Sequence, residues 1–435
     1  MTGCDMRADD YFPEYGDTSY DVLDYDLRLV YRVEGNHLEG RAELRAVARE
    51  DLDVIRLDLH GFDVSKVRLD VVPVAKYAHK RGKLRVHTKK PIAAGQEFRL
   101  TVGYDGSPRP VSDGSDGMGW EELTDGVLVA GQTNGAPSWF PCNDRPSNKA
   151  SYRIEVNAAS PYHVVANGQL VSRHQGAGRT TWVYLQPEPM ATYLATVQIG
   201  RYVAREVADA PVPMAAALPG ERLEDYDAGF GRQAEMMAFF IDAFGPYPFG
   251  SYTAVITDDE LEIPLEAQSL SIFGSNFLTD EWEAVRLVAH EMAHQWFGNS
   301  VTAETWRDIW LHEGFACYAE WLWSEQSGGP TTEDQAVTHW KKLAEQPQDL
   351  VLGDPGPDDM FDDRVYKRGA LLLHALRAEV GDETFFVLLK EWTRRHAYGS
   401  VTTTMFVDLA EELAGRPLDA VFTPWLSEQA LPELA

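Results

Sequence analysis

The chain is expected to fold as an α+β protein in two parts, a β-rich part over residues 1–205 and a mostly helical part over residues 206–435. Three observations carry that expectation. Short segments with β-branched or alternating apolar residues, separated by turn signals, fill the first two hundred positions. Beyond them the apolar residues recur at helical spacing. The length of 435 residues suits two or three domains, and 44% hydrophobic with 11% aromatic residues can fill more than one core.

In the first part, strands are expected at 20–33, 42–48, 54–59, 67–72, 98–104, 152–156, 163–166, 180–184 and 191–199. Gly35-Asn36, Lys80-Arg81-Gly82 and Ala93-Ala94-Gly95 mark turns between them. Strands of this kind read as an antiparallel sandwich or saddle. Cys142, in a turn bounded by Pro141 and Pro146, is expected to be buried and inert. In the second part, helices are expected over 224–244, 280–298, 308–327, 335–345, 364–380, 382–395 and 404–413, with strands at 252–256 and 269–273. Asp280, with Glu283 three residues later, is a candidate capping box, and Gly298 suits the far end of that helix.

Composition excludes some functions. A formal charge of −29 argues against nucleic acid or an anionic membrane as partner. No run of 18 apolar residues occurs, so no membrane span is expected. The first twenty residues are acidic and lack an apolar core, so no signal peptide is expected. Cys4, Cys142 and Cys317 are too few and too odd for a disulfide framework. The expected compartment is the reducing cytoplasm. Nothing in the sequence sets an oligomeric state.

The chemistry centres on Ala289-His290-Glu291-Met292-Ala293-His294, an H-E-x-x-H motif in a helical segment. Residues four apart share a helix face, so His290 and His294 can hold one Zn²⁺ at roughly 2.0–2.1 Å. Glu291 follows the first His and stands where a general base for an attacking water belongs. A catalytic zinc of this type needs a third protein ligand. Glu313 lies eighteen residues beyond His294, on a second expected helix that a turn can bring back to the His pair. Glu320, seven residues after Glu313, shares its helix face. It reads either as an acceptor for a ligating imidazole or as an exposed helix carboxylate. His312, beside Glu313, is a competing ligand that the spacing does not favour.

H-E-x-x-H, then Glu313 within Trp310-Leu311-His312-Glu313-Gly314-Phe315-Ala316, resembles the gluzincin metallo-aminopeptidases, the aminopeptidase N family. Residues 20–27, 57–61, 140–150 and 425–434 resemble further phrases of that family. The resemblance implies an antiparallel β-sandwich or saddle domain followed by a thermolysin-like, mostly helical catalytic domain. It implies one Zn²⁺ per chain and a metal-activated water that cleaves the N-terminal peptide bond of peptides with a free N-terminus. The longer members' additional β domain and C-terminal helical domain are expected to be absent.

The resemblance also assigns roles. Val365-Tyr366-Lys367-Arg368-Gly369-Ala370 is similar to the family's Y-x-K-G-A, which makes Tyr366 a donor to the oxyanion; Arg368 stands where the family has Lys. Residues 263–270 match the G-x-M-E-N strand, whose Glu pairs with the substrate's α-ammonium. Glu266 is in place there, while the Gly, Met and Asn are replaced. Pro264 limits this strand to an edge or bulge. Gln132 and Asn134 resemble the family's Gln-x-Glu segment, which helps bind the same amine. Two alternatives stay open. One is an endopeptidase or epoxide-hydrolase-like zinc hydrolase, which the altered G-x-M-E-N keeps alive. The other is a non-catalytic scaffold, against which the complete motif speaks.

Overall fold

The computed structural model describes residues 9–111 and 117–434. Cys4 and the other residues before position 9 lie outside them. The chain divides into two compact units. Met1–Glu206, Ala215–Leu223 and Phe249–Ser275 form one, and Val207–Met214, Glu224–Pro248 and Asn276–Ala435 the other. This grouping differs from a single cut between 205 and 206, because residues 249–275 continue a sheet begun by the strands before them.

The first unit carries β1 (Tyr20–Arg32), β2 (His37–Ala48), β3 (Leu52–Asp58), β4 (Phe62–Leu69), β5 (Val74–Lys80), β6 (Lys83–Ile92), β7 (Glu97–Gly106), β8 (Gly119–Leu123), β9 (Gly126–Ala130) and β10 (Ala150–Ala159). It continues with β11 (His163–Ala166), β12 (Gln169–Gly176), β13 (Arg179–Met190), β14 (Val197–Gly200), β15 (Tyr202–Glu206), β16 (Met214–Pro219), β17 (Tyr252–Ile256), β18 (Leu265–Ala267) and β19 (Leu270–Phe273). A seven-stranded sheet runs β12-β13-β10-β1-β2-β7-β4, and a three-stranded one β3-β6-β5. The others are β11-β14-β9-β8 and β15-β16-β17-β19-β18.

Pairing is mostly antiparallel, with parallel exceptions at β1–β10 and β17–β19. Alternation drives the long strands: Tyr25, Leu27, Leu29 and Tyr31 of β1 are buried while the residues between them are not. β18, which follows Pro264, is an edge strand, as a proline at its start requires. Cys142 is buried, and burial pushes its thiol well above the usual range.

The second unit holds α1 (Tyr226–Phe230), α2 (Gln233–Phe244), α3 (Trp282–Ala293), α4 (Trp310–Gln326), α5 (Thr332–Ala344), α6 (Asp363–Val380), α7 (Asp382–Arg395), α8 (Thr403–Ala414) and α9 (Asp419–Ser427). A short parallel pair, β20 (Thr302–Ala303) with β21 (Ser400–Val401), completes it. α4 is buried on every side from Trp310 to Ser324, its polar His312, Glu313 and Glu320 included. It packs against α3, α5 and α6.

The helices depart from expectation in places: 224–244 is two helices, α1 and α2, and α3 stops at Ala293 with His294 as its C-cap, short of Gly298. Glu281, not Asp280, caps α3, and no side chain serves as its cap, because Asp280 sits one residue too early. α5 starts three residues ahead of its expected start, at a capping box of Thr331 with Asp334. No helix among the described residues is long and apolar enough to cross a membrane.

Candidate metal centre

α3 ends at its second histidine. His294 is the C-cap residue, still in right-handed helical conformation, and its N–H donates to the His290 carbonyl at 3.1 Å. The i, i+4 relation therefore survives to the last turn. The two imidazole centroids lie 4.7 Å apart. Both rings are buried, as is Glu291 between them in sequence.

α4 brings the third carboxylate. Glu313, Cys317 and Glu320 lie on one face at helical spacing. Oε2 of Glu313 stands 3.3 Å from His290 Nε2 and 3.4 Å from His294 Nε2. Donors held at about 2.0–2.2 Å around a tetrahedral ion are themselves about 3.3–3.6 Å apart. The two His–Glu separations in this donor set match that spacing, and the three ligand atoms lie within 4.8 Å of one another. The second contacts fix the ring orientation. His290 Nδ1 is 2.8 Å from Glu320 Oε1, and His294 Nδ1 is 3.0 Å from the Phe297 carbonyl. Both acceptors hold a proton on Nδ1, so Nε2 is the nitrogen that each ring turns to Glu313.

Glu320 is buried, which does not fit an exposed helix carboxylate. Its other oxygen accepts from Arg286 Nη1 at 3.2 Å. Burial raises the Glu320 carboxyl, but Lys367, His290 and Arg286 outweigh it and bring it to about 2. Burial likewise opposes charge on His290, but the Glu313 and Glu320 carboxylates prevail and raise it to about 9. Glu313 is buried too; the two imidazoles outweigh burial and hold it well below the usual carboxylate range. Two buried carboxylates thus pull positive charge onto His290, which is what a cation would supply instead.

His312 is not part of this set. Its Nε2 accepts the Ala303 N–H at 2.7 Å, a bond that pins α4 to β20. Asp308 accepts from Thr403 Oγ1 at 2.6 Å. Tyr366, on α6, is half-buried and its ring stacks on His290 at 5.9 Å between centroids. α6 reaches α4 at a glycine contact, where a Cβ on Gly369 would meet Gly314 Cα at 2.8 Å. Lys367 Nζ lies 3.3 Å from Cys317 Sγ. Arg286 and Lys367 belong to no sequence motif that marks them as partners of Glu320. The signal available was their spacing on α3 and α6 relative to His290 and Tyr366.

In the first unit, the amide of Gln132 donates to Glu266 Oε1 at 2.7 Å, so those two residues meet. Asn134 is held elsewhere. Its Nδ2 donates to Asp144 Oδ2 at 3.2 Å, and Asp144 also accepts from Thr192 Oγ1 at 2.6 Å. Asn134 Oδ1 is buried with no hydrogen-bond partner among the described residues.

Comparison with known proteins places these features. Residues 22–194 match the Peptidase M1 N-terminal domain and residues 229–425 the Peptidase family M1 domain. Among curated relatives, Tricorn protease-interacting factor F2 of Thermoplasma volcanium is 25% identical over 74% of this chain and 44% of its own. Leucyl aminopeptidase of Saccharolobus solfataricus is 24% identical over 71% of this chain and 42% of its own. Aminopeptidase M1-A of Oryza sativa is 28% identical over 67% of this chain and 36% of its own. The chain therefore spans less than half the length of these three relatives. The M1 zinc metallopeptidase of Deinococcus radiodurans is matched nearly end to end, at 29% identity, 98% of both chains and a TM-score of 0.89. A substituted form of that protein bound to a Tyr-Ser-Ala substrate matches with a TM-score of 0.90 at 29% identity, over 98% of both chains. Two family domains in the expected order, and a two-domain zinc metallopeptidase that superposes on nearly every residue, lead to one conclusion: this chain belongs to peptidase family M1, whose metal is zinc.

Proposed function

We propose that this protein is a zinc-dependent aminopeptidase that hydrolyses the N-terminal peptide bond of peptides with a free N-terminus. The observation that carries the reading is the buried set of His290, His294 and Glu313, with Glu291 directly after the first His. Relatives named as aminopeptidases, and the tripeptide substrate bound by the Deinococcus protein, support it.

One zinc ion per chain is held by His290, His294 and Glu313, and supplies Lewis-acid polarisation and a lowered water pKa when bound. Glu291 is the general base: it takes the proton of the attacking water and returns it to the departing amine. Tyr366 donates its phenol hydrogen to the developing oxyanion. Glu320 orients His290. Glu266, steadied by Gln132, pairs with the substrate's α-ammonium, and Asn134, its amide nitrogen held by Asp144, has only its Oδ1 left to offer the same group. An acetylated N-terminus is rejected because it leaves a desolvated carboxylate unpaired.

The first 205 residues act as the N-terminal β domain and residues 206–435 as the thermolysin-like domain. The matched family segments fall on either side of that cut. Buried free thiols at Cys142 and Cys317 suit a reducing, cytoplasmic setting.

Hydrolysis of a panel of aminoacyl fluorogenic amides, with zinc quantified in the same preparation, tests the reading. Glu291→Gln is expected to lower kcat by about 10²–10⁴-fold while zinc content stays that of the wild type. Acetylated substrates are expected to resist cleavage. Equal cleavage of free and acetylated substrates would replace the exopeptidase with an endopeptidase, and bound zinc with no amide turnover would end the reading.

A further inference from the structure

Against the acidic character of the chain, residues 76–90 hold seven Lys or Arg and no Asp or Glu. They form β5, β6 and the turn between them. Sheet register decides where these charges go. Leu84 and Val86 of β6, with Ile55 and Leu57 of β3, are buried on one face. Alternation puts Lys83, Arg85, Arg56 and Lys80 on the other. There Arg56 pairs directly opposite Arg85, and Lys80 directly opposite Lys83. Like charges opposed across strands repel, so this face accumulates cations at a cost in stability.

The turn holds them in place. Arg81 and Gly82 both have positive φ, +51° and +70°, the two-residue turn that matches strand twist. A Cβ on Gly82 would lie 2.3 Å from His60 Cε1, so only glycine lets the turn seat there. Lys83 lies 4.2 Å over the Tyr15 ring, which stacks on His60. Above this floor is a cavity of about 580 Å³ lined by five cations, Arg56, Lys80, Arg81, Lys83 and Arg85, against two carboxylates, Glu14 and Asp58, with Gly16. Lys83 is engaged by Asp58, and Arg56 by Asp17 at 3.2 Å. Lys80, Arg81 and Arg85 are exposed and have no side-chain partner among the described residues.

We infer that this cavity on the β3-β6-β5 sheet binds a compact anion carrying two or more linked phosphates, away from the zinc ligands in sequence and in a different structural unit. The cations converge on one cavity of ligand size instead of running as a stripe, which selects a small polyanion over an extended chain. Guanidinium groups match phosphate oxygens two at a time. Inorganic polyphosphates and nucleoside polyphosphates share that chemistry.

Calorimetric titration of the full chain at low ionic strength tests the inference, with inorganic triphosphate, ATP and AMP as probes. Saturable one-to-one binding of triphosphate is expected, with AMP much weaker. Equal affinity for ATP identifies the phosphates alone as the ligand, and tighter binding of ATP identifies a nucleotide. The double change Lys80→Ser with Arg85→Ser is expected to weaken triphosphate by about tenfold or more. Lys341→Ser with Lys342→Ser, which removes the same charge from α5, is expected to leave it unchanged. Equal losses in the two double variants would overturn the site. So would binding that disappears from zinc-depleted protein but survives the Lys80 and Arg85 changes, since the metal would then be the receptor. Binding only to oligonucleotides, growing with their length, would overturn it as well.

Discussion

Glu320 carries a role that depends on three neighbours at once. It accepts from His290 Nδ1 on one oxygen and from Arg286 on the other, and Lys367 adds a second positive charge nearby. A carboxylate so held fixes the imidazole's tautomer and rotation before any metal arrives. Glu320→Gln is expected to lower zinc affinity by about 10–100-fold, read by competition with a chromogenic chelator, while the far-ultraviolet spectrum stays unchanged. Undiminished zinc affinity would show that Glu320 does not orient the ligand. The histidine pair was legible in the sequence because helical spacing alone puts residues four apart side by side. Glu320 left two readings open, because a carboxylate seven residues past a ligand looks the same whether its helix is buried or exposed. Burial of α4 on all faces decides between them. The same holds for His312, whose acceptor bond to the Ala303 N–H comes from a strand that the sequence did not reveal.

Among elements, the crossing of α4 and α6 matters most for the centre. Gly314 follows Glu313, and Gly369 lies three residues after Tyr366. The two glycines let the helix backbones touch, with 2.8 Å from a Cβ placed on Gly369 to Gly314 Cα. A methyl group there must push the helices apart, and with them the carboxylate on one and the phenol on the other. Gly369→Ala is expected to cost about 1–3 kcal/mol of stability through overpacking and to lower kcat for the proposed amide hydrolysis as well, measured by chemical denaturation and turnover of an aminoacyl amide. A variant as stable and active as the wild type would show that the contact does not set the helix spacing. Long, strongly patterned elements such as β1, β2, α6 and α7 were legible, since each buries one regular face. β12 was not: all eight of its residues are exposed, so backbone pairing with β13 holds it without an apolar signature. β5 escaped for the same reason: five of its seven residues are exposed, Lys76 and Lys80 among them.

At the scale of the whole molecule, the stability of the fold against pH follows from a carboxyl far from the metal ligands in sequence. Asp144 is 1% exposed. Burial, and after it the Asp58 charge, pushes its carboxyl up to about 7, against about 3.9 in an unfolded chain. Between those values the folded state binds more protons than the unfolded one, so stability from this group falls as pH rises, and the loss is complete above about pH 7. Asp144→Asn removes that dependence. The difference in melting temperature, variant minus wild type, is expected to move in the variant's favour from pH 5 to pH 8. A difference that stays flat across that range would mean that Asp144 ionises normally in the folded protein.

The sequence by itself determined the β-then-helix order, the helical frame of His290 and His294, and the spacing that singles out Glu313. These are properties of local periodicity, and one chain segment contains all the information they need. Tertiary structure alone decided that Glu320 and Arg286 back His290, that Gln132 meets Glu266 while Asn134 turns to Asp144, and that five cations line one cavity on a small sheet and its turn. Each of these joins residues on different strands or helices. Which of them meet is set by sheet register and helix crossing, and neither is written in the periodicity of any single segment.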